Sequence, residues 1–210
     1  TNDKIGLTFK AADNGAFFVG SLFWDNGSIV DAGILMWRDG TKPITGVASS
    51  ANAMVGTQAG DMLGSDGIVQ LAQGGYVIRT PNWDNGALVD VGAATWVSGL
   101  GPIKGTITPQ NSIIGNSPDD AVRTVLPLTN GHYLVASQTW DNGATPDVGA
   151  VRWANKNGST VGPITAANAI IGASAEDGIT LNAVALTNGH YAVGFNKWDN
   201  GATPDVGAVT

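Results

Sequence analysis

Cysteine is absent from this 210-residue chain, which excludes disulfides, thiolate metal sites and a cysteine nucleophile. Its absence leaves the compartment open. Glutamate occurs once, at Glu176, charged residues make up only 13%, and no segment holds a helical apolar period, so long helices are not expected. Lysine and arginine total ten and are scattered, while the net charge is −7 and the isoelectric point is near 4.5. That balance argues against a nucleic-acid or anionic-membrane surface, each of which needs clustered cations. No apolar run is long enough to span a bilayer, and no basic, apolar, small-residue succession resembles a signal peptide.

What the chain has instead is glycine, 30 of them, and a phrase spoken four times. Trp-Asp-Asn-Gly begins at Trp24, Trp83, Trp140 and Trp198, at intervals of 59, 57 and 58 residues. An aromatic stands seven residues before each Trp, at Phe17, Tyr76, Tyr133 and Tyr191. After it come Asp31, Asp90, Asp147 and Asp205, each two residues before a glycine, and the first three frames close on Trp37, Trp96 and Trp153. Asn52, Asn111 and Asn168 stand four residues before Gly56, Gly115 and Gly172, and Asp61, Asp119 and Asp177 recur every 58. Repetition at this interval dictates architecture. We read 1–210 as a single repeat domain with units of about 1–61, 62–119, 120–177 and a truncated 178–210.

Each unit reads as four strands. A first strand (Ile5 to Ala11, Ile68 to Ala72, Arg123 to Leu128, Leu181 to Leu186) leads through Asn-Gly at 14/15, 130/131 and 188/189, or Gly74-Gly75, into a second that ends at Trp. Asn-Gly between extended segments signals a type I′ hairpin, because both central residues need positive φ. Asp-Asn-Gly makes the next turn, a third strand follows, and a fourth is expected at Val47 to Val55, Gly105 to Ile114 and Pro163 to Ile171. The expected fold class is all-β, a β-propeller of about 58-residue four-stranded blades, about 3.6 blades in this chain, with a β-solenoid as the alternative. The fourth unit reaches Thr210 without its closing Trp or fourth strand, making 15 strands where a four-bladed ring wants 16. Self-association, or further repeats of a longer chain, would complete it.

The recurring Trp-Asp-Asn-Gly-Ala and Asp-Val-Gly-Ala-Val resemble repeats of large bacterial exoproteins and adhesin-like surface proteins, over almost the whole chain. Asp147-x-Gly149 with Trp153 is also similar, loosely, to the Asp-box of sialidase-like propellers, although the leading Ser is missing and the Trp stands one position late. The resemblance implies a β-propeller-like repeat protein, secreted or at the bacterial cell surface.

Candidate sites divide between scaffold and ligand. The Trp residues Trp83, Trp140 and Trp198 are either sugar-stacking platforms or filling between blades, and large aromatics at fixed repeat positions favour filling. Asp25, Asp84, Asp141 and Asp199 beside Asn-Gly, with Asp31, Asp90, Asp147 and Asp205, read as turn residues whose carboxylates accept backbone N–H bonds. Calcium at Asp141, Asn142 and Asp147 is the alternative, with few carboxylates for a hard cation; no other cofactor is expected. His132 and His190 follow the Asn-Gly turns and read as surface residues. Arg79 departs from the repeat, standing where the other units have Gly20, Ala136 and Gly194, and is a candidate to grip an anionic ligand. No catalytic residue stands out. The expected function is a non-catalytic extracellular binding or structural repeat module, glycan- or protein-binding through propeller loops, without nucleic-acid or membrane partners; the alternative is a propeller-fold glycoside hydrolase or lyase.

Overall fold

A computed structural model describes residues 2–43, 45–178 and 182–210. Unit one contributes β1 (Thr8–Ala11), β2 (Phe17–Ser21), β3 (Ile34–Arg38) and β4 (Met54–Val55). Unit two contributes β5 (Ile68–Gln70), β6 (Tyr76–Thr80), β7 (Ala93–Val97), β8 (Gly105–Thr106) and β9 (Ser112–Ile114). Unit three has β10 (Thr124–Pro127), β11 (Tyr133–Ser137), β12 (Ala150–Ala154), β13 (Gly162–Pro163) and β14 (Ile170–Ile171); unit four has β15 (Asn182–Ala185), β16 (Tyr191–Phe195) and β17 (Ala208–Val209). Leu181, expected to open the last first strand, lies outside the described residues. The protein is all-β, with four repeats in four separate sheets and, among the described residues, one 3-10 turn at Asp13–Gly15 as its only helical element. No closed ring is formed by the strand pairing.

The expected fourth strand is two pieces. Between them Asn111 accepts the Thr108 amide and donates to the Thr106 carbonyl, each at 2.9 Å, and this clamp makes the chain turn. Asn52 and Asn168 make the same pair of bonds in their units. The later piece, β9, pairs antiparallel with its own β7, whereas the earlier piece, β8, joins the preceding sheet parallel to β4. β13 likewise joins β9 of unit two. Among the described residues seventeen strands therefore stand where 15 were expected, and each donated pair stitches one unit to the one before it.

The hairpins also differ in kind. Asn14 and Gly15 both have positive φ (62° and 78°), as a type I′ turn requires. In units three and four only Gly131 and Gly189 do: all these loops hold three residues, but the turn bond runs from Ala16 to Asp13 in unit one and from Gly131 to Leu128 and Gly189 to Leu186 in the others. By that register Gln73-Gly74, rather than Gly74-Gly75, corresponds to Asn130-Gly131.

Alternation gives every sheet an incoming and an outgoing apolar face. Phe18 and Leu35 of unit one pack against Tyr76, Ile78 and Ala93 of unit two. Val77 and Ala94 meet Tyr133, Val135 and Ala150, and Leu134, Ala136 and Val151 meet Val193 and Phe195. The core is thus a series of interfaces between neighbours, joined by one cluster (Val19, Ile34, Met36, Ala53 and Val55) buried within unit one itself.

Candidate functional site

The repeated Asp residues are structural. Asp25, Asp84, Asp141 and Asp199 each accept, through Oδ1, the amide of Asp31, Asp90, Asp147 and Asp205 at 2.8–3.0 Å, six residues on rather than within a local turn. That bond holds the second Asp of each pair at φ of 51–54°, where the chain reverses around Asn-Gly. The buried carboxylates lie a layer deeper. Asp61 accepts the Thr57 and Gln58 amides on Oδ2 (2.7 and 2.8 Å) and, on Oδ1, the Asp84 amide of the next unit at 3.1 Å. At the boundary of units two and three this part is played by Asp120, which takes the Asn116, Ser117 and Asp141 amides; Asp119, the residue expected from the 58-residue spacing, sits outside at φ 63°. Asp3 reaches the Asp25 amide in the same way at 3.4 Å.

Burial pushes the Asp61 and Asp120 carboxyls above the usual carboxylate range, against the pull of three N–H donors each. Because the folded pKa lies above the unfolded one, the native state binds more protons, and the stability this supplies is present below pH 3.8 and lost as pH rises through the folded pKa. Thermal melts should therefore show the wild type gaining on Asp61→Asn and Asp120→Asn as pH falls from about 7 toward 4. A gap that narrows on acidification would contradict this assignment. Asp39 is the opposite case, held at about 2 by the Thr41 hydroxyl and amide and by Lys42.

Trp83 and Trp140 are buried between sheets, so neither offers a face to a ligand, while Trp24 and Trp198 are half-buried in the outer interfaces. Arg79 emerges on the outgoing face of unit two, but its guanidinium is taken: it pairs with the Asp66 carboxylate at 3.0 Å and bonds the Asp66 carbonyl. Asp66 also holds Arg123 of unit three at 3.2 Å. Arg79 is thus held within unit two, and it is Asp66 that ties this unit to unit three. Among the described residues no three His, Cys, Asp or Glu side chains gather as a metal-ligand set.

The sequence candidates do not converge, but a different group does. On one rim, where the first hairpins meet the loops after the third strands, a cavity of about 430 Å³ opens at the junction of three units. Trp96 and Tyr76 wall it, with Asp13, Gln73, Ser98 and Lys156 around the mouth. Tyr76 accepts the Asp13 amide through its hydroxyl at 2.8 Å, and Lys156 Nζ donates to Gln73 Oε1 at 2.7 Å. One departure from the repeat changes this wall: in unit three His132 lies over Trp153 with ring centroids 4.7 Å apart, whereas its counterpart Gly75 packs its backbone against Trp96, where a Cβ would stand 2.7 Å from the indole. Gln73 likewise replaces the Asn of units three and four.

The chain matches, over residues 11–65, 70–124, 127–181 and 185–210, a family described as a repeat of unknown function (DUF5650). Those stretches cover nearly all of it. The protein belongs to the DUF5650 repeat family. No curated protein and no solved structure matches it. The four DUF5650 segments carry the four Trp-Asp-Asn-Gly frames, and the last is shortened at Thr210. The DUF5650 scaffold accounts for the shared Trp and Asp residues, leaving Gly75, Gln73 and Lys156 as features of single repeats. Sequence inspection carried that signal in Gly75, which stood out against His132 and His190, but not its juxtaposition with Lys156, 81 positions away.

Proposed function

We propose a non-catalytic binding module of a secreted or surface-exposed bacterial repeat protein, its sheets arranged as propeller blades, which takes a saccharide in the rim cavity beside Trp96. The observation that supports this is the cavity itself: about 430 Å³, walled by two aromatics and edged by a few convergent polar groups. The part of the Trp96 indole that lines the cavity offers apolar surface to a sugar's C–H groups, while Gln73, Ser98 and Asp13 can meet vicinal hydroxyls and Lys156 a carboxylate or sulfate. The non-catalytic reading is favoured by Asp61 and Asp120, whose perturbed carboxyls are each engaged by three backbone amides and face no cavity of this rim.

A glycan array followed by calorimetric titration of the best neutral and uronate oligosaccharides tests it. Gln73→Ala and Lys156→Ala are each expected to weaken binding about tenfold, equivalent to about 1.4 kcal/mol. Melting should stay within about 0.5 kcal/mol of the wild type, because both side chains are at the surface. Binding that survives both changes, or no binding to any saccharide, refutes the reading.

A further inference from the structure

Three cations that the repeat does not carry meet at a second cavity. Counted from the closing Trp, Arg38 stands where units two and three have Val97 and Ala154. Counted back from the Asn clamps, Lys42 stands where they have Gly101 and Gly158, and Lys104 where units one and three have Thr45 and Val161. All three line a cavity of about 390 Å³ between units one and two, together with Trp37, Asp39 and Pro102. The chain has ten Lys and Arg and a net charge of −7, yet here three cations stand against one carboxylate.

The fold gathers them. Arg38 ends β3. Asp39 begins the turn after it, accepts the Thr41 amide at 3.0 Å and hydroxyl at 2.7 Å, and holds Lys42 Nζ at 3.1 Å. Lys104 arrives from unit two because β8, which follows it directly, is donated to the first sheet beside β4. Trp37 fastens the same loop of unit two by donating Nε1 to the Gly99 carbonyl at 2.7 Å, so what its indole offers the cavity is carbon surface. Two of the three cations are unspent. Among the described residues the ion pairs are Lys42–Asp39, Arg79–Asp66 and Arg123–Asp66, and neither Arg38 nor Lys104 takes part. Arg38 Nη2 donates to the Met36 sulfur, a weak acceptor, and its Nε is buried with no acceptor. A half-buried guanidinium without a carboxylate is an uncompensated charge, and the cavity it lines has room for a counter-anion.

We infer that this cavity binds a sulfate or phosphate monoester whose organic body lies on Trp37 and Pro102. The site is separate from the saccharide cavity beside Trp96 and does not depend on that reading. An ester oxyanion carries several acceptor oxygens, which suit a guanidinium fork and separate ammonium groups. The carbon surface beside the cations favours an ester over a free ion, because an inorganic anion leaves that surface wet.

Calorimetric titration with para-nitrophenyl sulfate, para-nitrophenyl phosphate, inorganic sulfate and inorganic phosphate tests this, at low and at high sodium chloride. At least one ester is expected to bind about tenfold more tightly than its inorganic ion, and to weaken as salt screens the charges. Arg38→Gln and Lys104→Ala should each lower that affinity about tenfold, while Lys197→Ala, which removes an exposed lysine of unit four, leaves it unchanged. Lys104 is exposed, so Lys104→Ala should melt with the wild type and carries the test alone if Arg38→Gln folds poorly. Lys156→Ala should leave ester binding intact, which keeps this result independent of the glycan titration. An inorganic ion bound as tightly as its ester overturns the inference. So does binding that Lys104→Ala leaves unchanged, or no binding of any of the four probes.

Discussion

Replacing Asp120 by Ala should cost about 3–5 kcal/mol, since it removes a buried carboxylate that accepts the amides of Asn116, Ser117 and Asp141, bonds to a charged group worth about 1.5–3 kcal/mol each with incomplete additivity. In a chain of this size that lowers the melting temperature by roughly 10 °C. Two of those amides belong to the turn before Asp120 and the third to the next Trp-Asp-Asn-Gly frame, so the loss both frees a loop and unlatches it from the following frame. Asp119→Asn is the matched control: the side chain is outside the buried carboxylate position, and Asn tolerates the positive φ there, so the change should stay within about 0.5 kcal/mol. Equal losses at the two positions would show that the latch is misassigned.

Trp140→Ala should cost a further roughly 3–5 kcal/mol of the same kind of measurement, through a cavity that the surrounding sheets cannot collapse. Trp140 is 1% exposed and packs with Tyr133, Val135 and Val148 in the interface of units two and three. Trp24→Ala, at the same frame position but half-buried at an end of the stack, should cost clearly less. Chemical denaturation of the three proteins gives the comparison, and a Trp140→Ala variant as stable as wild type would remove the indole from the core.

The difference between Trp24 and Trp140 shows where sequence reading stops. Both carry the same four-residue phrase, and the phrase predicts the turn correctly in every unit: Asn26, Asn85, Asn142 and Asn200 each close a tight hairpin with the residue three further on. Burial, however, depends on whether another sheet lies against the indole, and that is a property of position in the stack. The fourth strand failed for a related reason. Gly105 to Ile114 looks extended throughout, yet pairing partners are chosen by hydrogen-bond geometry in space, and the Asn111 clamp sends its two ends to different sheets. Counting by 58 also pointed to Asp119, because spacing tolerates a one-residue slip that a buried carboxylate does not.

By itself the sequence determined the period, the all-β class and the first three strands and turns of each unit, because turn chemistry and side-chain alternation act over a few neighbouring residues. Tertiary structure alone decided that Arg79 is spent on Asp66, that Asp120 rather than Asp119 latches units two and three, and that Gly75 packs against Trp96 in a cavity that Lys156 of the next unit also lines. Each of those joins residues that no local turn connects, from 13 to 81 positions apart, and only the folding of strands into sheets and of one sheet on the next brings them together.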